Sequence, residues 1–445
     1  MNETKVEGVE SRGDAIDVRT YLSPRAEAAL SRYARRVEGS SILKIAGEIR
    51  EMLARGEPVL NLTVGDFRPD QFPSPPKLRE YTIEALKAGH TNYPPVNGVL
   101  ELREAVRETA RADHGLDYPL ESILIGGGAR CLLYASYMTL VDPGDVVVYP
   151  VPSWNTHHYV YLAAADGKPL PVTAEKNFHL DREDIAPYLK TARLLSLNSP
   201  LNPTGTCISA EALGGMCEAI VAENRRREGA GERPLFVVYD QVYHSLTLGS
   251  AGHVTPVGLV PEMAPTTILV DAVSKGMCGT GLRVGWALGP PDVIAKMTEM
   301  AGHFGAWAPR PEQMGTARFL RDGEVLREHR EQMNERLRVR FQALDEGFTE
   351  MRRRGLPVEH VRAQGAMYLS VRFALIGRQV RGREIRTTED LRAVLLREAG
   401  FAVIPFAAFG LEREDGWVRI SVGAVSVEEI HQGLARVREL LEDVN

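Results

Sequence analysis

Cysteine is scarce in this chain of 445 residues. The four present, Cys131, Cys207, Cys217 and Cys278, are scattered without paired ligand spacing, which argues against a disulfide framework and a zinc site and favours a reducing, cytoplasmic setting. An excess of basic charge is also lacking: 53 Lys and Arg stand against 59 Asp and Glu, a net charge of −6, so there is no electrostatic case for a nucleic-acid partner. No apolar run approaches spanning length, and the polar start Met1-Asn2-Glu3-Thr4-Lys5 resembles neither a signal peptide nor a membrane span. The eleven histidines show no metal-ligand spacing; His157 and His158 read as a polar loop pair, and no metal is expected. Repeats and low-complexity tracts are missing as well. What remains, 44% hydrophobic and 25% charged residues, is ordinary for a globular chain long enough for two or three packed units with a sizeable core. A small-molecule enzyme fits these limits best.

The first twenty or so residues have few apolar groups and no period, so residues 1–23 are expected to form a loose arm or to lie on a partner subunit. Ordered structure is expected from near Pro24. Between Ser41 and Arg55, apolar residues at 42, 45, 46, 49, 52 and 53 have the spacing of one buried helical face, leading into a strand over 59–64. Short apolar runs at 123–125, 146–149, 194–197, 235–239 and 267–270 then alternate with helical stretches, the pattern of a mainly parallel α/β sheet covered by helices. Such sheets place ligands at strand C-terminal ends. After residue 320 comes a long charged helix, with Leu326, Met333, Leu337, Phe341 and Leu344 on one side, then strand candidates at 367–373 and 416–422. That is a second, smaller α+β domain. A last helix opens with Ser426 and Glu429 in capping-box spacing.

Four strand ends carry polar or glycine residues. The first is Gly126-Gly127-Gly128-Ala129-Arg130, ahead of a helix over 131–140. Amides at such a helix start bind phosphate, although glycines at a strand-to-helix turn also serve tight geometry alone. Cys131 and Leu132 break the dinucleotide fingerprint, which disfavours a Rossmann dehydrogenase. The others are NSPLNPTG from Asn198, YDQVY from Tyr239, and Asp271 to Lys275 with Arg283 eight residues beyond the lysine.

Together NSPLNPTG, YDQVY, SKGMCGTGLRVGW and the late WVRISVG resemble, in this order and at these separations, the signature of class I/II aminotransferases of pyridoxal-phosphate (PLP) fold type I. The similarity runs from about residue 40 to the C-terminus and is strongest to bacterial aspartate aminotransferases. It implies a large domain with a mainly parallel seven-stranded sheet (76–318), a small α+β domain (319–445), and residues 24–75 packing on the small domain. It also implies the site. Lys275 is expected to hold the cofactor as an imine and, once displaced, to shuttle the Cα proton. Asp240 would keep the pyridine nitrogen protonated, Asn202 and Tyr243 would hydrogen-bond the phenolic oxygen, and Trp154 would stack on the ring. Arg283 would grip the phosphate with the amides of Ala129 and Arg130, the Ser274 hydroxyl, and Tyr93 from a neighbouring subunit, so a homodimer is expected. Arg419 would take the substrate α-carboxylate through two parallel bonds, with Gly65 close by. Two departures from the pattern stand out: Ala272 replaces a common hydroxyl residue, and Gln241 a common acidic one.

The resemblance implies amino acid and 2-oxo acid substrates handled in turn. Arg130, where bacterial aspartate aminotransferases of this branch carry a lysine, is the candidate for a distal carboxylate, which favours aspartate as donor; it could equally form a structural pair. Trp307, Tyr159 and Phe178 could line an apolar pocket or a core, leaving an aromatic or broad-specificity aminotransferase open. A β-lyase, decarboxylase or cyclopropane-forming synthase would keep the same cofactor residues. A PLP-sensing regulator would need an added DNA-binding module, and the roughly forty residues ahead of the similar region have neither a basic patch nor a helix-turn-helix pattern.

Overall fold

A computed structural model describes residues 18–20, 22, 29–35, 41–249 and 252–444. The expected arm over 1–23 and the expected onset of order at Pro24 lie almost wholly outside these residues. Helix α1 (Ser41–Ala54) buries Ile45, Ile49 and Met52, but Leu53 is exposed, so the buried face is narrower than its spacing suggested. The expected strand over 59–64 is only Leu60–Asn61, paired in parallel with Phe401–Ala402. Its continuation leaves the ladder for a physical reason: the Thr63 and Val64 carbonyls accept hydrogen bonds from the side chains of Arg419 (2.7 Å) and Ser421 (2.6 Å) instead of from a strand.

The large domain is built on seven strands: β1 (Ile123–Gly126), β2 (Val146–Val151), β3 (Asp166–Pro171), β4 (Ala192–Asn198), β5 (Phe236–Asp240), β6 (Thr267–Ala272) and β7 (Gly285–Leu288). Their spatial order is β1-β7-β6-β5-β4-β2-β3, parallel except at β7, which runs antiparallel to both neighbours. Central strands such as β6 are buried along their whole length, as expected where helices cover both faces. Strands β3 and β7 carried no clear signal. The DGKPLP of β3 has two prolines and is half exposed, tolerable only because it is an edge; the GWAL of β7 is four residues long.

Helix α2 (Leu100–His114) packs near β1, and α3 (Ala129–Leu140) starts at the glycine turn after it. The 31-residue α4 (Gly323–Arg353) buries Leu326, Met333, Leu337, Phe341 and Leu344 and leads into the small domain. There an antiparallel sheet runs in the order Ile404–Pro405, Trp417–Ser421, Tyr368–Phe373, Val358–Val361. The last helix, α5 (Val427–Glu442), starts with a full capping box between Ser426 and Glu429. Two hydrophobic clusters form the core, one mainly under the seven-stranded sheet and one mainly in the small domain, and each takes in residues of the other unit, such as Phe406 and Trp417 in the first and Tyr243 and Leu246 in the second.

The loop after β4 joins the two. Gln364 donates its backbone N–H to the Gly205 carbonyl (2.7 Å), and the Ser370 hydroxyl donates to that of Thr204 (2.9 Å). Gly205 has φ +74°, and a Cβ there would lie 1.9 Å from the Tyr368 carbonyl oxygen, so only glycine fits. Among the described residues no helix is long and apolar enough to cross a membrane.

Candidate active site

The C-terminal ends of β4, β5 and β6 face a cavity of about 550 Å³, closed by the start of α3 on one side and by Gly65, Tyr368 and Arg419 on another. Of the twelve residues singled out in the sequence, eleven line it: Gly65, Ala129, Arg130, Trp154, Asn202, Asp240, Tyr243, Ser274, Lys275, Arg283 and Arg419. Tyr93 does not; it is 80% exposed and sets its ring edge-on to Trp307 at 5.2 Å.

Lys275 sits on the single helical turn Val273–Gly276 that follows β6. Its Nζ donates to the Gly65 carbonyl at 2.5 Å, so the amine spans from the strand ends to the small-domain side of the cavity. Asp240 ends β5, and its Oδ1 accepts the Val242 amide at 3.2 Å. Burial pushes its carboxyl up to about 7; the Asp271 charge adds to this, while the Val242 hydrogen bond and Lys275 oppose it. Among the described residues Asp240 has no ion-pair partner.

A continuous polar network closes the other end. Arg419 is 1% exposed; its Nη1 donates to Asn202 Oδ1 (3.1 Å) and its Nη2 to the Thr63 carbonyl. The guanidinium lies between the rings of Tyr368 (4.5 Å) and Phe409 (4.9 Å), and among the described residues its Nε meets no acceptor. Asn202 is held by Asn198, whose Oδ1 accepts the Asn202 amide at 2.8 Å, and its Nδ2 reaches the Tyr243 hydroxyl at 3.5 Å. The Tyr243 and Tyr368 hydroxyls are 2.8 Å apart. Burial, then the Tyr368 neighbour, keeps the Tyr243 phenol well above its ordinary value.

At the opposite wall Arg283, at φ +55°, donates to the carbonyls of Thr280 and Gly127, both at 2.8 Å, and faces the start of α3. Gly128, at φ +90°, makes room for it: a Cβ there would lie 2.6 Å from Arg283 Nη2. The Arg130 guanidinium stacks over Trp154 at 4.8 Å, and among the described residues no carboxylate pairs with it.

The sequence pattern of the family described as aminotransferase class I and II matches residues 57–437. The chain belongs to the class I and II aminotransferases. It is 30% identical over 412 residues to an aspartate aminotransferase of Geobacillus stearothermophilus, covering 91% of this chain and 96% of that one. To a probable aspartate/prephenate aminotransferase of Rhizobium leguminosarum bv. phaseoli it is 28% identical, with 91% and 96% covered. Among solved structures, the aspartate aminotransferase of Rhizobium meliloti superposes with a TM-score of 0.84 at 27% identity, covering 94% and 99%. An aromatic aminotransferase of Pyrococcus horikoshii superposes at 0.77, also 27% identical, covering 88% and 98%.

In this aminotransferase the site also holds residues to which the sequence reading gave no role. Tyr368 opens a small-domain strand, where polar-after-strand reasoning does not look. Asp66 and Thr280 also line the cavity, the Thr280 hydroxyl donating to Asp66 Oδ1 at 2.9 Å. Other aromatic candidates fall elsewhere: Phe178 and Tyr159 are core residues. His157 and His158 sit in a helix, Thr156–Leu162, rather than in a loop.

Proposed function

We propose that the cavity binds pyridoxal 5'-phosphate and moves an amino group from an L-amino acid, aspartate favoured, to a 2-oxo acid such as 2-oxoglutarate by a ping-pong mechanism. The residues fit that cofactor. A buried carboxyl with no cationic partner suits a protonated ring nitrogen, and the Gly128 cradle beside Arg283 and the α3 N-terminus suits a phosphate. Lys275, Asp240, Asn202, Tyr243, Trp154, Ser274, Arg283, and the amides of Ala129 and Arg130 would hold it. When bound, it supplies an electron sink that makes the substrate Cα–H acidic enough to remove.

The chain's own groups do the rest. Lys275 Nζ, the only amine among the described residues lining the cavity, would take the Cα proton and deliver it across the substrate nitrogen to the cofactor's carbonyl-derived carbon. Asp240 keeps a proton on the ring nitrogen. Arg419, braced by two aromatic rings and with Nε unspent, fixes the α-carboxylate beside Gly65 so that the Cα–H bond faces Lys275. The observation that carries this assignment is the convergence of one amine, one buried carboxyl and two arginines at opposite walls of one cavity.

Aspartate is favoured because Arg130 faces the cavity without a carboxylate of its own, while its stacking on Trp154 holds the guanidinium in place. An aromatic or broad-specificity donor is the second possibility, supported by the Pyrococcus horikoshii likeness. Residues 76–318 and 319–445 are assigned to the large and small domains and 24–75 to a segment packing on the latter, a reading supported by the pairing of Leu60–Asn61 with Phe401–Ala402 and by the Glu48–Arg392 ion pair (2.9 Å). A homodimer, with Tyr93 reaching the partner's phosphate, is supported by the exposure of Tyr93 together with Val96, Leu100 and Phe304. A cytoplasmic setting is supported by four free cysteines.

The test is a half-reaction. L-aspartate, L-glutamate, L-phenylalanine or L-alanine is added singly to the cofactor-loaded protein and the absorbance spectrum is followed. Conversion of the cofactor to its amine form, fastest with aspartate, is the expected result. Breakdown of the amino acid without that conversion would point to a lyase or decarboxylase.

A further inference from the structure

Behind the strand ends lies a partly buried cluster that the reaction above does not use. His244 follows Tyr243, and its ring sits between two carboxylates, with Nδ1 2.9 Å from Asp271 Oδ2 and Nε2 3.4 Å from Asp113 Oδ2. Arg330 of α4 grips the same Asp113 with two bonds, at 2.8 and 2.6 Å. Two further imidazoles face His244, His114 at 5.1 Å and His253 at 5.9 Å between ring centres. Among the described residues neither pairs with a carboxylate. Their polar neighbour is Gln241, whose Nε2 is 3.1 Å from His114 Nε2 and whose Oε1 is 3.4 Å from His253 Nε2.

Charge counting within this group is decisive. Asp113, Asp271 and Arg330 leave one negative charge in a region where isolated charge is costly, and a protonated His244 cancels it. Three imidazoles this close cannot all be charged, and the one between the carboxylates is favoured. Burial works against its proton, but Asp271 and Asp113 outweigh burial and raise His244 to about 9, whereas burial and its charged neighbour hold His114 at about 4 and His253 well below its ordinary value. Gln241 completes the arrangement: a carboxylate there would give His114 and His253 a partner.

The cluster also touches the chemistry. Asp271 is the penultimate residue of β6, four before Lys275, and its charge raises the proton affinity of Asp240. We propose, resting on the roles given above to Asp240 and Lys275, that His244 is a positioning residue: carried as an imidazolium between Asp113 and Asp271, it cancels the Asp271 charge behind Asp240 and ties the strand ends bearing Asp240 and Lys275 to α2 and α4.

Two measurements test this. In ¹⁵N-histidine-labelled protein, with and without cofactor, one ring of this cluster should show both nitrogens protonated at neutral pH, lose that pattern only near pH 9, and be absent from His244→Gln. A neutral His244 at pH about 7 would overturn the proposal whatever reaction the site performs. In the loaded enzyme, His244→Gln should slow the half-reaction about tenfold with little change in KM, and His244→Gln/Asp271→Asn should recover most of that loss, a coupling of about 1.4 kcal/mol. Additive losses in the double variant would show that His244 merely packs. If no half-reaction occurs even in the unmodified protein, it is the assigned function that fails, and the ring protonation still decides the charge state.

Discussion

Replacing Asp240 by Asn should stabilise the cofactor-free protein and disable the loaded one. The carboxyl has an ordinary value of 3.8 and is held up to about 7 in the folded protein, chiefly by burial. The folded state therefore binds this proton more tightly than the unfolded chain. Its contribution is fully present below pH 3.8 and is lost as pH rises through about 7. Above both values the penalty is about 4 kcal/mol, and water reaching the carboxyl from the cavity reduces it to roughly 2–4 kcal/mol. Asn has the same shape, keeps an oxygen for the Val242 amide and carries no such penalty. Urea unfolding of the apoprotein should show Asp240→Asn more stable by about 2–4 kcal/mol at pH about 8, with at least half of that gain gone at pH about 5. In the loaded enzyme the order should reverse, with turnover falling by orders of magnitude. An equal difference at both pH values, or a less stable variant at the higher one, would refute the assignment of a strained, charge-starved carboxyl.

Three further outcomes are expected. Lys275→Ala should abolish turnover yet retain noncovalent cofactor, and near-normal turnover in that variant would remove Lys275 from its role. Gly128→Ala places a Cβ 2.6 Å from Arg283 Nη2 at φ +90°. It should weaken cofactor affinity by about 1.5–3 kcal/mol, roughly 10- to 150-fold, read by fluorescence titration. Tyr368→Phe leaves the buried Tyr243 hydroxyl without its 2.8 Å partner and should lower kcat/KM by about 1 kcal/mol, roughly fivefold, in steady-state kinetics.

Much of this was legible beforehand because the chemistry-bearing residues sit where period and composition break. Lys275, Asp240 and Asn202 each follow an apolar run, and a buried strand that ends in a charge announces itself. Arg419 differs: it lies inside the strand Trp417–Ser421, and its place came from resemblance rather than from pattern. Tyr368 was missed because an aromatic residue at a strand start is indistinguishable from core. Strand β7 was hidden by its length, and β3 by prolines that only an edge position permits. The histidine cluster was invisible for another reason. Asp113, His244, His253, Asp271 and Arg330 are brought together by packing between separate elements, and no local spacing encodes that.

The order in which the site is made during synthesis follows from the bonds of Arg419 and Ser421 to the Thr63 and Val64 carbonyls. These contacts join segments 356 and 357 residues apart, whereas Lys275 and Gly65 are separated by 210. On the roles proposed above, a growing chain exposes its amine and its phosphate cradle well before the arginine that would hold the substrate α-carboxylate exists. The large domain can collapse on the ribosome, but the segment around Gly65 must wait for the penultimate element of the protein before its carbonyls are satisfied. Loss of the last thirty residues would remove Arg419 and Ser421 together and leave the Thr63 and Val64 carbonyls without these partners.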